Sequence, residues 1–212
     1  MFKFLIILTC FVAYTQNVYS QQTINNAVPN ISTDNIRYLF IGLDNPVTIT
    51  TGCDEKYEVS ISKGTLINNG NGHFMVRPGD TSEVIIKLKS GKREFNFLFH
   101  VRNIPDPEIV VGSFRSEQPI LAFKTSAGVR AILWNFFYET QFNVVSFDIE
   151  FSGAGFDETS KHTNIGAQWD EESKKAINKM INGTKVYINK VRVLGPDGRV
   201  RLIYDDLTLI QK

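Results

Sequence analysis

The sequence predicts an all-β protein built from two consecutive small β-sandwich domains, the second of which carries one short helix. Short runs in which apolar and polar residues alternate indicate strands with one buried face. Residues that favour turns separate these runs, and a segment with two prolines divides the chain near its middle. The clearest runs of the first half are Val47–Thr50, Tyr57–Ser62, Val84–Lys89 and Phe95–Val101, separated by the turn segments Asn68–Gly72, Arg77–Asp80 and Ser90–Lys92.

The domain boundary is predicted at Ile104–Pro107. Pro105 and Pro107 each fix φ and remove a backbone N–H donor, and each pushes the preceding residue towards an extended conformation. Strand pairing is therefore expected to stop there. This places the first sandwich domain at residues 37–104 and the second at residues 105–212.

The second half resumes the strand pattern. Its strongest strand signal runs from Val145 to Phe151, where every second residue is apolar and is expected to face the core. Two later strands flank the turn Gly195–Gly198, so that the segment around Leu202 is expected to pair with that around Val191. The other predicted strands are Ile109–Val111, Ile120–Phe123, Val129–Leu133 and Leu207–Ile210.

One helix is predicted after Asp170, whose side chain is suited to cap the helix amino terminus. Glu171 and Glu172 then occupy the first turn, where negative charge is favourable, and Gly183 suits the position after the last turn. This helix is expected to cover one sheet or one end of the sandwich. Its apolar stripe would consist of Ala176, Ile177, Met180 and Ile181.

The amino terminus has the layout of a secretory signal peptide. Lys3 precedes the apolar run Phe4–Ala13, and polarity then rises up to Ser20, after which cleavage is expected. Residues 1–20 are thus predicted as signal peptide and residues 21–36 as a flexible leader. Lipidation at Cys10 is a minor alternative. The mature chain is expected in the periplasm without a membrane span, with the cell surface or secretion as the alternative.

Charge and cysteine content narrow the function classes. The 212-residue chain has 23 Lys and Arg against 22 Asp and Glu, so it lacks the excess of basic residues that nucleic acids or anionic membranes select. Nucleic acid is therefore not an expected partner. Cys53 is the single cysteine after signal removal, and it is expected to be a buried small hydrophobe rather than a reactive thiol.

The sequence contains no recognisable catalytic or metal-binding pattern, and the chain is not expected to be an enzyme or to need a cofactor. Its histidines lack metal-ligand spacing, and no nucleophile elbow or phosphate-binding glycine loop is present. Adjacent acidic residues are more often solvated turn or helix-start residues than catalytic pairs. The residues weighed were His73 beside a glycine turn, His100 on a polar strand face, His162 in a polar loop, and the pairs Asp157–Glu158, Glu171–Glu172 and Asp205–Asp206.

An aromatic cluster lies in the middle of the second half. Exposed, coplanar rings would form a sugar-stacking platform, but core packing is the favoured interpretation, because contiguous residues on a strand point to alternate faces. A glycan site would require the side chains of Trp134, Tyr138 or Trp169 to be exposed together. The cluster consists of Trp134, Phe136, Phe137 and Tyr138, and the neighbouring lysines Lys174, Lys175 and Lys179 are expected to be a solvated helix face.

From Tyr38–Val47 onward the chain resembles the C-terminal periplasmic region of the gliding-motility protein family GldM and its counterpart PorM. The resemblance extends over residues 37–212 and depends on the order and spacing of several turn motifs more than on any one of them. The further motifs are Val76–Pro78, Ile104–Pro107, Val111–Gly112, Val144–Phe147 and Gly195–Gly198.

The resemblance implies two immunoglobulin-like β-sandwich domains that take part in type IX secretion and gliding in Bacteroidota. In full-length family members these domains form the periplasmic end of a dimeric rod driven by an inner-membrane motor. The chain lacks the membrane helices and the long rod of that plan, and Phe4–Ala13 has no carboxylate, so it is not expected to be the motor subunit.

The expected function is a non-catalytic, periplasmic protein-interaction and assembly module that docks partners through sheet edges and loops. Envelope components of the gliding and secretion apparatus, or a second copy in a homodimer, are the expected partners, and the sequence assigns no partner-binding residue. A secreted adhesin-like or glycan-binding β-sandwich is the alternative function.

Overall fold

The computed structural model describes residues 29–33, 38–51, 56–204 and 206–210. These residues form two β-sandwiches of immunoglobulin-like character, which confirms the predicted fold class. The expectation of one helix was incomplete, because the described residues contain two. Neither helix is long and apolar enough to cross a membrane.

The first sandwich is formed by two four-stranded sheets. One has the order β1-β3-β6-β5 and the other the order β2-β8-β7-β4. This corresponds to an immunoglobulin constant-type arrangement with an additional strand, β2, beside the last strand. The strands are β1 (Asn30–Thr33), β2 (Tyr38–Phe40), β3 (Asn45–Thr50), β4 (Glu58–Ile61), β5 (Thr65–Gly70), β6 (His73–Arg77), β7 (Val84–Ser90) and β8 (Arg93–Arg102).

Alternation along these strands produces the first core. In β7 the apolar residues Val84, Ile86 and Leu88 are fully buried, while Lys87 and Lys89 are exposed. Since side chains of a strand point to opposite faces in turn, one face of the strand lies in the core and the other in water. The predicted strands of the first half therefore form where the period-two pattern is clean.

β1 lies within the segment that was expected to be a flexible leader. Residues Asn30–Thr33 pair antiparallel with Thr50–Val47 of β3, and Ile31 packs against the first core. The prediction of a flexible leader was therefore wrong for residues 30–33. Four residues with one partly buried apolar side chain are too few for a periodicity signal, and the strand forms because β3 offers an edge to pair with.

The second sandwich has a large and a small layer. A five-stranded sheet has the order β12-β11-β13-β14, with β15 also pairing with β13, and a separate two-stranded sheet pairs β9 with β10. Both helices pack into the same core as these sheets. The elements are β9 (Glu108–Val111), α1 (Ile120–Thr125), β10 (Val129–Ile132), β11 (Asn143–Gly153), β12 (Ser160–Ile165), α2 (Glu171–Lys179), β13 (Thr184–Leu194), β14 (Val200–Ile203) and β15 (Leu207–Ile210).

α1 corrects the prediction of a strand at Ile120–Phe123. The segment begins after Pro119, whose fixed φ suits a helix start, and it buries Phe123 while leaving Leu121 exposed. A six-residue apolar segment has no more than two turns of helix, so its periodicity does not separate helix from strand. Packing of Phe123 against Trp169 decides the conformation, with ring centres 5.3 Å apart.

β11 differs from its predicted pattern at one position. Phe147, Ile149 and Phe151 are fully buried as expected, but Val145 is 41% exposed and Val144 is buried in its place. The pairing of β11 with β13 is irregular between Val144 and Ser146, which is the signature of a β-bulge. The extra residue shifts the alternation by one position, and the prediction for Val145 was therefore wrong.

α2 begins as predicted and ends differently. The Asp170 side chain accepts a hydrogen bond from the backbone N–H of Ser173 at 2.7 Å, which confirms the amino-terminal cap. Met180 follows the last helical residue in an extended conformation, so Ile181 leaves the apolar stripe and is 54% exposed. Gly183, with φ of 90°, belongs to the turn before β13 and not to the helix end.

Candidate functional site

The junction between the two sandwiches is built from turns of both halves. Gly42 has φ of 79°, and a Cβ atom at this position would lie 2.4 Å from the Cα of Asp197. Gly42 follows β2, whereas Asp197 belongs to the turn between β13 and β14. The two backbones can approach this closely because Gly42 has no side chain.

Asn45 organises the turn that contains Gly42. Its side chain is fully buried and accepts a hydrogen bond from the backbone N–H of Phe40 at 2.7 Å. Its amide group donates to the carbonyl oxygens of Phe40, Leu43 and Val76 at 2.9, 3.0 and 3.1 Å. One side chain therefore contacts four backbone groups, its two amide hydrogens being shared among three carbonyl oxygens, and joins the turn to β6. Nearby, the guanidinium of Arg77 forms a bidentate ion pair with Asp44 on the surface.

Arg201, which belongs to β14 of the second sandwich, binds the linker between the two sandwiches. Its side chain is 16% exposed and donates to the carbonyl oxygen of Ile104 at 2.9 Å. It also pairs with Asp197, whose side chain is 2% exposed, and lies 3.4 Å from the carboxylate of Asp106. The linker and the Gly195–Gly198 turn are thus fastened to the same guanidinium.

Apolar contacts complete this junction. Phe40 and Leu43 precede the predicted boundary but are buried in the core of the second sandwich. The ring of Phe40 packs edge-on against Phe136 and Tyr138, with ring centres 5.0 and 5.7 Å apart. The two sandwiches therefore share a packed interface in addition to the covalent linker.

Gly42→Ala tests this close approach. We expect it to destabilise the protein by about 2 kcal/mol more than Gly198→Ala, since the alanine Cβ must displace the backbone of Asp197. Gly198 also has positive φ, but a Cβ atom added there would meet nothing within 4 Å, so Gly198→Ala carries only the conformational cost. Urea unfolding of both variants measures the difference, and equal losses would contradict the contact.

The aromatic cluster lies in a loop between β10 and β11 and not on a strand. Phe136 and Tyr138 are partly buried at the junction, whereas Trp134 is 54% and Phe137 67% exposed. The prediction of core packing is thus confirmed for two of the four rings and wrong for the other two. Trp169 is buried and its indole N–H donates to the carbonyl oxygen of Ser126 at 2.9 Å, so it is not exposed together with Trp134.

His162 lies in β12 and not in a loop as expected. Its Nε2 atom is 2.8 Å from the hydroxyl oxygen of Ser173 and 3.4 Å from a carboxylate oxygen of Asp170. Ser173 is fully buried and donates to Asn164 at 2.9 Å. A catalytic triad needs the serine and the acid on different imidazole nitrogens and an accessible hydroxyl. The cluster instead fastens the start of α2 to β12.

Asp170 makes this cluster sensitive to acid. Partial burial raises the pKa of the Asp170 carboxyl. Hydrogen bonds from Ser173 and the charge of His162 lower it by more than burial raises it, so the pKa lies below its usual value. A depressed pKa contributes stability above the unfolded-state value, and this is lost as the pH falls through the folded-state value.

We therefore expect wild-type protein to be more stable than Asp170→Asn at pH 7, with the difference shrinking below about pH 4. Urea unfolding of both proteins from pH 3 to pH 7 measures this. A difference that stayed constant over that range would contradict the role of the Asp170 charge.

The other candidate residues named from the sequence lie far apart along the fold. His73 and His100 are exposed in β6 and β8, and His100 lies 3.3 Å from Glu83. Asp157 and Glu158 line an open polar groove of about 710 Å³ beside α2, together with Lys175 and Lys179. Among the described residues no group of three or more potential ligands is placed to hold a metal ion.

Four features predicted or considered from the sequence lie wholly or partly outside the described residues: the signal peptide, residues 21–28 and 34–36 of the flexible leader, Cys53 and Asp205. Asp206, the neighbour of Asp205, is described and exposed. Sequence reasoning did not identify Gly42, Asn45 or Arg201 as interacting residues. The one signal for them was that Tyr38–Val47, Ile104–Pro107 and Gly195–Gly198 each form a motif, and the structure brings these motifs together.

Comparison of the fold with solved structures gives distant similarities. Domains 4 and 5 of the S-layer protein SbsC align with a TM-score of 0.36 and 12% identity, covering 87% of this chain and 98% of that one. The four N-terminal immunoglobulin domains of Dscam1 isoform 1.9 align with a TM-score of 0.26 and 11% identity, covering 87% and 52%. The fold assignment therefore depends on the sheet topology. Comparison with curated protein sequences gives no match.

Comparison with protein families gives two consecutive matches. Residues 28–102 match the GldM third domain, and residues 105–204 match the GldM C-terminal domain. The first match contains β1 to β8, and the second runs from the linker held by Arg201 through β14. The resemblance seen in the sequence is confirmed, and the chain belongs to the GldM family through these two domains.

Proposed function

We propose that the chain is a non-catalytic, exported interaction module of the gliding and type IX secretion apparatus, and that it docks an envelope protein through the loop that carries Trp134 and Phe137. Family membership supports the cellular setting. The docking site is inferred from the exposure of Trp134 (54%) and Phe137 (67%) on a loop whose other two rings, Phe136 and Tyr138, are packed at the junction.

The anchoring matters for affinity. Phe136 and Tyr138 pack on Phe40, so the loop is held at the junction from both sides of Phe137. A loop that is already ordered loses less conformational entropy on binding than a free one. Aromatic side chains, above all tryptophan and tyrosine, supply a large share of the binding energy at protein interfaces. The loop thus has the composition and the support of a protein-docking element.

A groove next to the loop extends this surface. It has a volume of about 520 Å³ and is lined by the Gly42 turn, by Arg77 and by Tyr138 and Glu139. The groove provides polar and charged groups beside the apolar rings, which is the arrangement of an apolar centre with a polar rim. The partner surface that fits it is an apolar pocket bordered by charged residues.

Strand edges offer a second route for docking. Among the described residues β5 pairs only with β6, and most of its residues are exposed, including Ile67 at 36%. The outer N–H and C=O groups of such a strand are available to an added strand of a partner.

An affinity pull-down from crosslinked envelopes of the source cells tests the proposal. Gliding or secretion components are expected with wild-type protein and are expected to be lost with the double variant Trp134→Ala, Phe137→Ala. Tyr204→Ala is the matched control, since Tyr204 is 87% exposed but follows β14 and is not part of the loop between β10 and β11.

Recovery of those components by the double variant would overturn the loop as docking element. Crosslinks that map to β5 would then assign docking to the strand edge. Absence of all gliding and secretion components, under conditions that capture full-length GldM, would overturn the cellular role.

The glycan-binding alternative gives a separate prediction. Trp134 is exposed, whereas Trp169 is buried and Tyr138 is partly buried, so the three side chains named for a glycan site are not exposed together. Soluble polysaccharides are therefore expected to leave the tryptophan fluorescence unchanged. A saturable shift that disappears in Trp134→Phe would instead support glycan binding.

A further inference from the structure

The first sandwich contains a parallel strand pair formed by β2, the strand that follows β1, and β8, its last strand. Tyr38, Leu39 and Phe40 of β2 lie beside His100, Val101 and Arg102 of β8. All other strand pairs among the described residues are antiparallel. The parallel pair therefore joins the first strand of its sheet directly to the last strand before the linker.

This geometry determines how tension acts on the sandwich. Tension along the chain reaches β2 through β1. It then pulls β2 towards its amino end and β8 towards its carboxyl end. Because the two strands run in the same direction, these pulls are opposed along one axis and load the bonds between the strands in shear. Because shear acts along the strands, it loads the bonds between them together instead of one after another, and in a parallel pair these bonds are evenly spaced.

We propose that the β2–β8 pair is a mechanical clamp, which gives the protein a load-bearing function when it is stretched between its two ends. The proposal goes beyond docking, since it concerns what the module does once both ends are held. It depends on topology and contacts alone and stands or falls independently of the partner.

Side chains reinforce the pair at its ends. The backbone N–H of Ile41 donates to the carbonyl oxygen of Arg102 at 3.1 Å, which continues the ladder beyond β2. The guanidinium of Arg102 lies 3.5 Å from the ring centre of Tyr38 and so joins the two strands from the surface. Leu39 and Val101 are buried in the core below them. Separation of the strands therefore breaks backbone, cation–π and apolar contacts together.

The second sandwich has no equivalent pair among its described strands. Its first strand, β9, pairs with β10, and its last described strand, β15, pairs with β13. Both pairs are antiparallel, and neither joins β9, the first strand of this sandwich, directly to β15, its last described strand. The first sandwich is thus expected to be the mechanically stronger of the two.

Optical tweezers with two attachment geometries test the clamp. In the first geometry the mature chain is held at its amino and carboxyl termini, which loads β2 and β8 in shear. In the second it is held at its amino terminus and at Lys92→Cys, an exposed position in the turn before β8, so the same pair opens from one end. Cys53→Ser is included in both proteins, so that the thiol of Lys92→Cys is the single cysteine of the mature chain available for attachment.

The unfolding force of the first sandwich is expected to be at least about twofold higher in the shear geometry, because the bonds break together. Unfolding events are assigned by the chain length released, about 3.5 Å per residue. In the shear geometry the second sandwich is expected to unfold at the lower force. Equal forces for the first sandwich in both geometries would overturn the clamp.

A matched pair of substitutions tests the reinforcement. Arg102→Gln removes the cation–π contact between β8 and β2, whereas Arg93→Gln removes one to Phe95 within β8 itself, at 5.5 Å. Arg102→Gln is expected to lower the shear force and Arg93→Gln to leave it unchanged, and neither alters a buried side chain. Equal forces for the two variants would show that Arg102 does not strengthen the clamp. The comparison of the two attachment geometries tests the β2–β8 pair itself, because it needs no substitution in either strand.

Discussion

Asn45→Ala is expected to destabilise the protein by about 4 kcal/mol, because it leaves buried backbone groups without partners. The backbone groups that lose a hydrogen bond to Asn45 are one N–H donor and three carbonyl acceptors, contributed by Phe40, Leu43 and Val76. Each such group costs about 1–3 kcal/mol when it is buried and unsatisfied, and water entering the space left by the side chain recovers part of this. Urea unfolding gives the change in the free energy of unfolding.

Two further substitutions sharpen the test of Asn45. Asn45→Asp keeps the shape of the side chain and the acceptor for Phe40, but it replaces the amide donors by a carboxylate facing carbonyl oxygens. It is expected to destabilise at least as much as alanine at neutral pH. Asn96→Ala is the control, since the Asn96 side chain is exposed and donates to the carboxylate of Glu94, and a change within about 0.5 kcal/mol is expected. A loss below about 1 kcal/mol for Asn45→Ala would contradict its role.

Arg201→Met is expected to cost about 3 kcal/mol, since it leaves the carboxylate of Asp197 buried without its cation. Asp197 has a side chain that is only 2% exposed, and Arg201 is itself mostly buried. The substitution also removes the hydrogen bond to the carbonyl oxygen of Ile104 in the linker. Differential scanning calorimetry is the suitable measurement, because it reports whether the sandwiches unfold in one transition or two.

Arg201→Met is also expected to separate the melting of the two sandwiches, which the junction otherwise couples. Arg199→Met is the control on the neighbouring exposed arginine and is expected to leave the melting profile unchanged. A single unchanged transition in Arg201→Met would show that the shared core around Phe40 couples the sandwiches without the arginine.

Sequence patterns predicted the fold where periodicity was clean and failed where contacts between distant residues decide it. β7 and the central part of β11 follow their alternation because each residue needs only its own strand to set its face. Val145 departs from the pattern because a bulge forms in the pairing with β13. α1 was predicted as a strand because its short apolar segment fits both conformations, and packing on Trp169 selects the helix.

The candidate site was less predictable for the same physical reason. Asn45 and Arg201 each act on backbone groups far along the chain, Val76 in one case and Ile104 in the other, and no local pattern encodes such pairs. The turn motifs were visible in the sequence, but their meeting at Gly42 and Asp197 was not. The aromatic cluster was recognised, but only the structure separates its anchored rings from its exposed ones.

The strand β1 has a practical consequence for work with fragments of the chain. A fragment that starts at residue 37, the boundary expected from the sequence, would lack Asn30–Thr33. The edge of β3 from Val47 to Thr50 would then be left open to strands of other molecules, which is a common route to aggregation. Fragments for crystallisation or for force measurements should therefore begin before Pro29, so that the sheet closes its own edge.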